Sequence, residues 1–180
     1  MDNLKLLTIC GALRAGSTNR LLVSEAVLAF GLAEVVEANL RLPLFDEDIE
    51  TGPGIPLEVQ VLADQIKAAD AVLISTPEYN KALPGVLKNA LDWVSRTKGS
   101  PWRDKPVAII SAADGRGGGD RSQFSLRLAL VPFRARVLPG PEVMVAHSRE
   151  AFDGAGKLRD AHYVTALAEL MALLRAEVGR

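Results

Sequence analysis

The sequence predicts a doubly wound α/β fold, in which helices cover both faces of a parallel sheet. Three short runs, Leu4–Ile9, Ala71–Ser75 and Val107–Ser111, are nearly continuous in Leu, Ile, Val and Ala. Apolar runs without polar alternation are typical of strands that are buried on both faces. Helix-length segments with apolar residues three and four positions apart separate the runs. Strands and helices therefore alternate along the chain, as this fold class requires.

Five helices are expected from the apolar spacing, and the last of them falls within Asp160–Val178. Each presents one apolar stripe to the sheet. The residues that mark the stripes, in chain order, are Leu21, Leu22, Ala26, Ala29 and Phe30; Leu57, Val61, Leu62, Ile66 and Ala69; Val86, Leu87, Leu91 and Val94; Phe124, Leu126, Leu128, Ala129 and Leu130; and Val164, Leu167, Leu170, Met171 and Leu174.

Two weaker strands complete the sheet. Glu34–Ala38 alternates partially, as an edge strand can, and Arg136–Leu138 with Val143–Ala146 forms a last strand interrupted by Pro139-Gly140-Pro141. Five strands in the flavodoxin-like order 2-1-3-4-5 follow, with right-handed crossovers. The segment Leu42–Pro56 is rich in acidic residues, Pro and Gly, and we interpret it as a surface excursion.

Composition limits the class of protein. A chain of 180 residues with 48% hydrophobic and 24% charged residues fits one globular domain, spanning residues 1–180. Twenty-one basic residues nearly balance 22 acidic ones, so a nucleic-acid partner is not expected. No apolar run reaches the roughly 18 residues of a membrane span, and no metal site is expected. Cys10 is the single cysteine, interpreted as a small buried hydrophobe, and a cytoplasmic location fits best.

Loop one, Gly11–Asn19, follows the first strand and has the chemistry of an anion site. Ser17 or Thr18 can cap the helix that follows, whose first N–H groups and dipole attract an anion. Arg14 adds a planar charge suited to phosphate oxygens. The loop lacks the Gly-Lys-Ser/Thr ending of a triphosphate-binding loop and does not match G-x-G-x-x-G. A single phosphate is the better functional interpretation, and a capped turn with an exposed Arg is the structural alternative.

Loop two, Thr76–Gly85, follows the strand at Ala71–Ser75. Its two prolines fix the backbone path, and Tyr79 offers a flat face on which a planar heterocycle could stack. Asn80 and the loop amides could contact the polar edge of such a ring. The alternative is a connection whose Tyr covers core and whose Pro84-Gly85 starts the next helix.

Loop three, Ser111–Asp120, contains four glycines in five positions, Gly115 and Gly117 to Gly119. Glycine permits positive φ and the close approach of backbone to a ligand. The alternative is a mobile surface loop. Because the carboxyl ends of parallel strands meet at one edge, the three loops should lie together. A phosphate site, a stacking loop and a glycine wall describe a mononucleotide with a planar ring, and flavin mononucleotide (FMN) fits.

Three segments also carry a resemblance to a known family. GALRAGSTNRLL, TPEYNKALPGVLKNALDWVSR and GRGGGDRSQFSLRLAL resemble the motifs of the NADPH-dependent FMN reductase family, which includes bacterial chromate, quinone and azo-dye reductases. The similarity runs from Leu4 to about Leu130, and the tail matches in layout only. The resemblance implies a flavodoxin-like flavoprotein with non-covalent FMN, a homodimer or homotetramer, and an oxidoreductase that uses NADPH or NADH.

The resemblance also implies site residues. Arg14, Ser17 and Asn19 would bind the FMN phosphate. The ring would be bordered by residues from loops two and three, namely Pro77, Glu78, Tyr79, Asn80, Gly115 and Gly118. Glu78 and Arg116 would also face the nicotinamide nucleotide. The family commonly has hydroxyl residues where this chain has Ala12 and Ala113, so one or two side-chain hydrogen bonds to FMN would be missing.

The implied mechanism needs no catalytic side-chain nucleophile, because hydride passes from NAD(P)H to flavin N5 and backbone donors stabilise the charge near N1 and O2. The electrons then reach a quinone, chromate, azo compound or free flavin. One alternative is a flavodoxin-type electron carrier, although such carriers are usually strongly acidic and this chain has a net charge of −1. Another is a flavin-free mononucleotide-binding module.

Self-association is predicted from the segment GVLKNALDWVSR, whose apolar face and Trp93 could pack on a partner. Burial of the same face within one subunit predicts the same pattern. We favour a subunit contact for Trp102 as well. His147 and His162 lie outside the three loops, and we interpret them as solvated or helix-surface residues.

Overall fold

The computed structural model describes residues 4–179. Strands and helices alternate along most of the chain. The strands are β1 (Lys5–Cys10), β2 (Glu34–Glu37), β3 (Ala71–Ser75), β4 (Pro106–Ala112), β5 (Arg136–Val137) and β6 (Val143–Val145). The helices are α1 (Thr18–Phe30), α2 (Glu47–Thr51), α3 (Leu57–Ala68), α4 (Gly85–Ser95), α5 (Asp120–Leu130) and α6 (Ala161–Ala176).

The sheet is parallel throughout, with the order β2-β1-β3-β4-β5, and β6 also pairs with β4. The predicted order 2-1-3-4-5 is therefore confirmed. The last strand is divided, as expected from Pro139-Gly140-Pro141, because proline cannot donate to the ladder. Its first half pairs Val107 with Val137, and its second half pairs Ile110 with Val143. The two halves lie along the same strand, β4.

Two apolar layers enclose the sheet, and neighbouring residues on a strand point into different layers. Leu6 contributes to the layer that packs on α1 and α6, whereas Leu7 contributes to the layer that packs on α3, α4 and α5. Strands β3 and β4 are buried at every position. Continuous burial explains why these strands lack the polar alternation of a half-exposed sheet.

The predicted helix stripes are confirmed in part. Leu22, Ala26 and Phe30 of α1 are buried, and so are the central residues of α6. Within α5, Leu126 and Leu130 are buried. The prediction is wrong for the stripe residues that are exposed, namely Leu21, Ala29, Leu57, Val61, Phe124, Leu128 and Val164. The spacing in α5 is compatible with two stripes, and packing on the sheet selects one of them.

The excursion at Leu42–Pro56 is held to α4 by Trp93. Trp93 Nε1 donates to Pro43 O at 2.8 Å, and its ring meets Phe45 edge-on with centroids 5.0 Å apart. Asn89 Oδ1 accepts from Phe45 N at 2.8 Å, and its Nδ2 donates to Pro43 O at 2.9 Å. A short helix, α2, forms inside the segment. Asn89 and Trp93, on one face of α4, therefore hold the excursion against the rest of the protein.

Both tryptophans are core residues. Trp93 is 0% exposed and Trp102 is 2% exposed, with Trp102 packed near Phe133. The apolar face of α4 is also buried in its own subunit. The interpretation of Trp102 as a subunit contact is thus wrong, and the α4 face provides no support for self-association. Sequence periodicity alone could not separate these two kinds of burial.

Across residues 4–179, the structure contains no helix that is long and apolar enough to span a membrane.

Candidate functional site

The carboxyl ends of β1, β3, β4 and β6 lie side by side, and backbone hydrogen bonds fix the start of each following loop. Gly11 N donates to Ser75 O at 2.8 Å, and Thr76 N donates to Ile110 O at 2.9 Å. Ala113 N donates to Val145 O at 3.0 Å. The predicted meeting of loops one, two and three at one sheet edge is therefore observed, with the segment after β6 beside loop three.

Loop one presents unsatisfied backbone donors. Ser17 caps α1, with its hydroxyl accepting from Asn19 N at 3.2 Å. Among the described residues, the N–H groups of Ala12–Gly16 and of Thr18 have no acceptor within the protein. Arg14 is exposed and forms no ion pair with any described residue. Free amides, a helix start and an unpaired guanidinium together make a site suited to one phosphate.

Asn19, also predicted as a phosphate ligand, points into the protein. Its Nδ2 donates to Ala112 O at 2.8 Å, and its Oδ1 accepts from Ser75 Oγ at 2.9 Å and from Ala112 N at 3.1 Å. The residue is 2% exposed. The side chain therefore connects loop one to the ends of β3 and β4.

Loop two contains a tight two-residue turn. Tyr79 and Ala82 exchange two backbone hydrogen bonds, and Asn80 and Lys81 between them have φ values of 51° and 64°. Positive φ at both central residues is the signature of a type I′ turn, which Asn favours at its first position. The turn leaves the Tyr79 side chain 54% exposed. Its ring is thus available for stacking, as the sequence predicts.

Glu78 and Pro77 connect loop two to its neighbours. Glu78 Oε2 accepts from Arg121 N at 3.1 Å and from Ser122 N at 3.3 Å, both in the first turn of α5. Pro77 is buried against Gly11, where an added Cβ would lie 3.0 Å from Pro77 Cδ. The Glu78 carboxylate thus stabilises the start of α5, and Pro77 packs beneath loop one.

Loop three is anchored at Gly118. This residue has φ +60°, and an added Cβ would lie 2.3 Å from Met144 O. Gly118 O accepts from Ser111 Oγ at 2.7 Å, and Gln123 Nε2 donates to Ser111 Oγ at 2.9 Å. Packing of loop three against β6 therefore requires glycine at position 118, and the approach of Gly118 to the ring stays a prediction.

Gly115 and Arg116 form the open part of loop three. A Cβ on Gly115 would have no neighbour within 4 Å, so its backbone faces free space. Arg116 is exposed and makes no ion pair within residues 4–179. These two residues are available to a ligand, and the anchored Gly118 holds them in place.

Two clefts flank loop two. The apolar cleft, about 780 Å³, lies between loop one, the segment after β2 and α4. The glycine cleft, about 660 Å³, lies between Glu78 and loop three. Both volumes fall in the range of small-molecule sites, roughly 300–1,000 Å³. The apolar cleft is lined by Gly11, Leu13, Arg14, Leu40, Arg41, Leu42, Pro43, Leu44, Tyr79, Pro84, Gly85, Val86 and Asn89.

Sequence reasoning missed two contributors. Arg41 NH2 donates to Leu13 O at 3.3 Å, so a residue after β2 supports loop one from the side. Ser148, after β6, is buried; its Oγ accepts from Thr18 Oγ1 at 3.2 Å, and its N–H donates to Ala113 O at 3.2 Å. The predicted strand order already places the segments after β2 and β6 at this edge of the sheet, so it could have indicated both residues.

Cys10 lies under the site and does not open to it. The residue is 5% exposed, and burial raises the pKa of its thiol. The thiolate is the reactive form of cysteine, so a buried thiol with a raised pKa is inert at neutral pH.

We therefore expect the native protein to show no thiol reaction with Ellman's reagent at pH 7 over minutes, and one thiol per chain after denaturation in guanidinium chloride. Absorbance of the released thiol dye measures both states. Fast labelling of the native protein would contradict the assigned burial.

The site fits a mononucleotide with a planar ring. The free amides and Arg14 in loop one suit the phosphate, the exposed face of Tyr79 suits the ring, and Gly115 leaves room for close approach. No side-chain nucleophile or paired acid and base lies among these residues, so the chemistry must come from the bound group.

Comparison with known proteins gives consistent matches. The family model described as NADPH-dependent FMN reductase matches residues 4–150. NAD(P)H-dependent FMN reductase PA1204 of Pseudomonas aeruginosa is 42% identical over 165 residues, which cover 88% of this chain and 86% of that protein. The quinone reductase of Escherichia coli K12 is 40% identical over 152 residues, which cover 79% of this chain and 78% of that protein.

A solved structure is similar over nearly the whole chain. FerB, a flavoenzyme NAD(P)H:(acceptor) oxidoreductase from Paracoccus denitrificans, superposes with a TM-score of 0.86 at 30% sequence identity. The match covers 97% of each chain, so the similarity extends into the tail that motif comparison did not reach.

Proposed function

The chain belongs to the NADPH-dependent FMN reductase family, and from that premise we propose that it is an NAD(P)H:quinone reductase. It is an FMN-dependent oxidoreductase that takes electrons from NAD(P)H and passes them to a small acceptor. The observation that carries the choice of quinone is the apolar cleft. Leu13, Leu42, Leu44 and Val86 form its apolar wall. Two arginines also line it, but Arg14 is assigned to the FMN phosphate and Arg41 donates to Leu13 O, so the remaining wall favours a flat, weakly polar acceptor over a metal oxyanion.

We assign the cofactor contacts as follows. Arg14 and the free amides of loop one hold the phosphate, and Tyr79, Asn80 and Gly115 border the ring. Ser17, also predicted as a phosphate ligand, is 2% exposed and is assigned to capping α1 beneath them. Bound FMN supplies two-electron transfer, from the nicotinamide of NAD(P)H and then to the acceptor.

The remaining predicted residues support these contacts. Glu78 and Pro77 hold loop two against α5 and loop one, and Gly118 holds loop three against β6. Arg116, exposed and free of ion pairs among the described residues, is assigned to the phosphates of the nicotinamide nucleotide.

The central experiment is steady-state oxidation of NADPH by the FMN-loaded protein with menadione as acceptor. The reductase is expected to turn over many times, and chromate under the same conditions is expected to be a poorer acceptor. A carrier without its own substrate site would show almost no turnover, which would favour the flavodoxin-type alternative. Turnover with chromate that exceeds turnover with menadione would overturn the quinone assignment.

Arg14 is expected to contribute to FMN affinity through the phosphate. Arg14→Gln removes a charge-assisted contact of about 1.5–3 kcal/mol, so the dissociation constant should rise by roughly 10- to 150-fold. Affinity for riboflavin, which has no phosphate, should change little. Quenching of flavin fluorescence measures both constants.

The matched control is Arg103→Gln, an exposed arginine at the amino end of β4. It should leave both constants unchanged. Equal losses of FMN and riboflavin affinity in Arg14→Gln would contradict the phosphate assignment.

We also propose self-association as a dimer or tetramer and a cytoplasmic location. Support for association comes from the exposed apolar residues Phe124, Leu128 and Val131 along α5 and the turn after it. The single buried cysteine supports a reducing compartment. Light scattering tests the assembly: a monomer mass for the wild type would contradict it, and Leu128→Glu should shift an oligomer toward monomer. We treat the chain as a single FMN-binding domain.

A further inference from the structure

The side chain of Asn19 is bonded to the two central strands of the sheet. It is the second residue of α1, directly after the loop that holds the phosphate. Its Nδ2 donates to Ala112 O at 2.8 Å, and its Oδ1 accepts from Ala112 N at 3.1 Å. The side-chain amide therefore pairs with one backbone residue as a peptide group pairs with its neighbour in a sheet. Aspartate lacks the donor for this pairing, and serine is too short for it.

A third bond extends the connection to β3. Asn19 Oδ1 accepts from Ser75 Oγ at 2.9 Å, and both residues are buried. Ser75 is the last residue of β3, and Ala112 is the last residue of β4. Loop two begins at the residue after Ser75, and loop three continues beyond Ala112. One side chain thus joins the end of loop one to the starts of loops two and three.

The same geometry removes Asn19 from the ligand. Nδ2 is the side-chain donor that a phosphate would accept from, but it donates to Ala112 O, and only 2% of the residue is exposed. Its backbone N–H is also engaged, donating to the Ser17 cap.

We propose that Asn19 is a positioning residue that couples the phosphate loop to the two loops bordering the ring, and does not itself bind phosphate. The proposal rests on the proposed FMN site. Loss of the Asn19 bonds would release α1 from the ends of β3 and β4, so the ring and phosphate contacts would weaken together. A phosphate ligand would affect the phosphate alone.

The two flavins FMN and riboflavin separate these roles. Asn19→Asp keeps the side-chain size and replaces the donor to Ala112 O with an acceptor. Its dissociation constants for both flavins should rise by the same factor, about tenfold or more, because the lost hydrogen bond (about two- to tenfold) is replaced by repulsion between the new carboxylate and Ala112 O. Ser75→Ala removes only the bond to β3 and should raise both constants by about two- to tenfold.

Hydrogen exchange of the flavin-free protein gives a second readout. Amides of residues 112–119 should exchange faster in Asn19→Asp and Ser75→Ala than in the wild type. The control is Ile66→Val, which shortens a fully buried side chain on α3 away from the three loops. It lowers stability without touching the connection, so its flavin affinities and the exchange of residues 112–119 should match the wild type.

Selective loss of FMN affinity in Asn19→Asp, with riboflavin binding intact, would overturn the positioning role and make Asn19 a phosphate ligand. Unchanged affinities in both Asn19→Asp and Ser75→Ala would overturn it as well. A wild-type protein that binds neither flavin would overturn the proposed function and this proposal with it.

Discussion

A Gly118→Ala variant is expected to lose roughly 2–5 kcal/mol of unfolding free energy and most of its affinity for FMN. The positive φ of 60° costs about 1–2 kcal/mol for a residue with a Cβ. The new Cβ would also lie 2.3 Å from Met144 O, and such overpacking costs about 1–3 kcal/mol. Relief requires loop three to move away from β6, which displaces the open residues Gly115 and Arg116. Chemical denaturation measures the stability, and fluorescence titration measures FMN binding.

Gly115→Ala is the matched control in the same loop. A Cβ on Gly115 meets no atom within 4 Å, so stability should change by no more than about 0.5 kcal/mol. FMN affinity should still fall, because the methyl group enters the space assigned to the ring. Equal stabilities of Gly118→Ala and the wild type would show that loop three is not anchored at β6.

Trp93→Ala is expected to lower the unfolding free energy by about 3–5 kcal/mol, the range for a fully buried aromatic side chain. Two effects combine at this position. The cavity opens inside the core layer of α4, and the excursion at residues 42–56 loses both the hydrogen bond to Pro43 O and the ring contact with Phe45. Because Leu42 and Leu44 line the apolar cleft, the KM for menadione should also rise.

Trp93→Phe is the conservative variant at this position. It keeps an aromatic ring near Phe45 but removes the Nε1 donor and part of the buried ring system, so the loss should be about 1–2 kcal/mol, smaller than in Trp93→Ala. Denaturant unfolding of the three proteins gives both differences. A loss in Trp93→Ala below that of Trp93→Phe would contradict the burial of Trp93 in the core of its own subunit.

The fold could be predicted from the sequence because its signals are local. Three uninterrupted apolar runs mark β1, β3 and β4, which are buried on both faces, and the turn chemistry at Pro139-Gly140-Pro141 marks the division of the last strand. The buried side of each helix could not be predicted, because long-range packing decides it. The spacing allowed Phe124 to face the core and allowed Trp93 to face a partner subunit, and the position of each helix on the sheet leaves Phe124 exposed and Trp93 buried.

The site was predictable to the level of its loops. Loop position follows from strand order, and Arg14, Tyr79 and Gly115 are exposed there. The roles of Asn19 and Gly118 were not predictable, because each depends on a residue far away in the chain, Ala112 and Met144 respectively. A sequence motif identifies the residues of a site. The hydrogen bonds and packing contacts of each residue then determine whether it contacts the ligand or holds the loops in place.

This distinction gives the site a consistent organisation. Groups with free donors or open space, such as Arg14 and Gly115, lie at the surface of the three loops. Groups with satisfied hydrogen bonds, such as Asn19 Oδ1 and Ser111 Oγ, lie beneath them. Buried, satisfied polar networks hold a binding geometry in place before the ligand arrives, which reduces the ordering cost of binding.

The most direct test of the central claim is an anaerobic titration of the FMN-saturated protein with NADPH, followed by visible absorbance. We expect stoichiometric uptake of FMN, bleaching of the flavin bands by NADPH, and recovery of the bands when menadione is added. A protein that remains colourless after incubation with FMN, or whose bound flavin is not reduced by NADPH or NADH, would not be an FMN-dependent reductase.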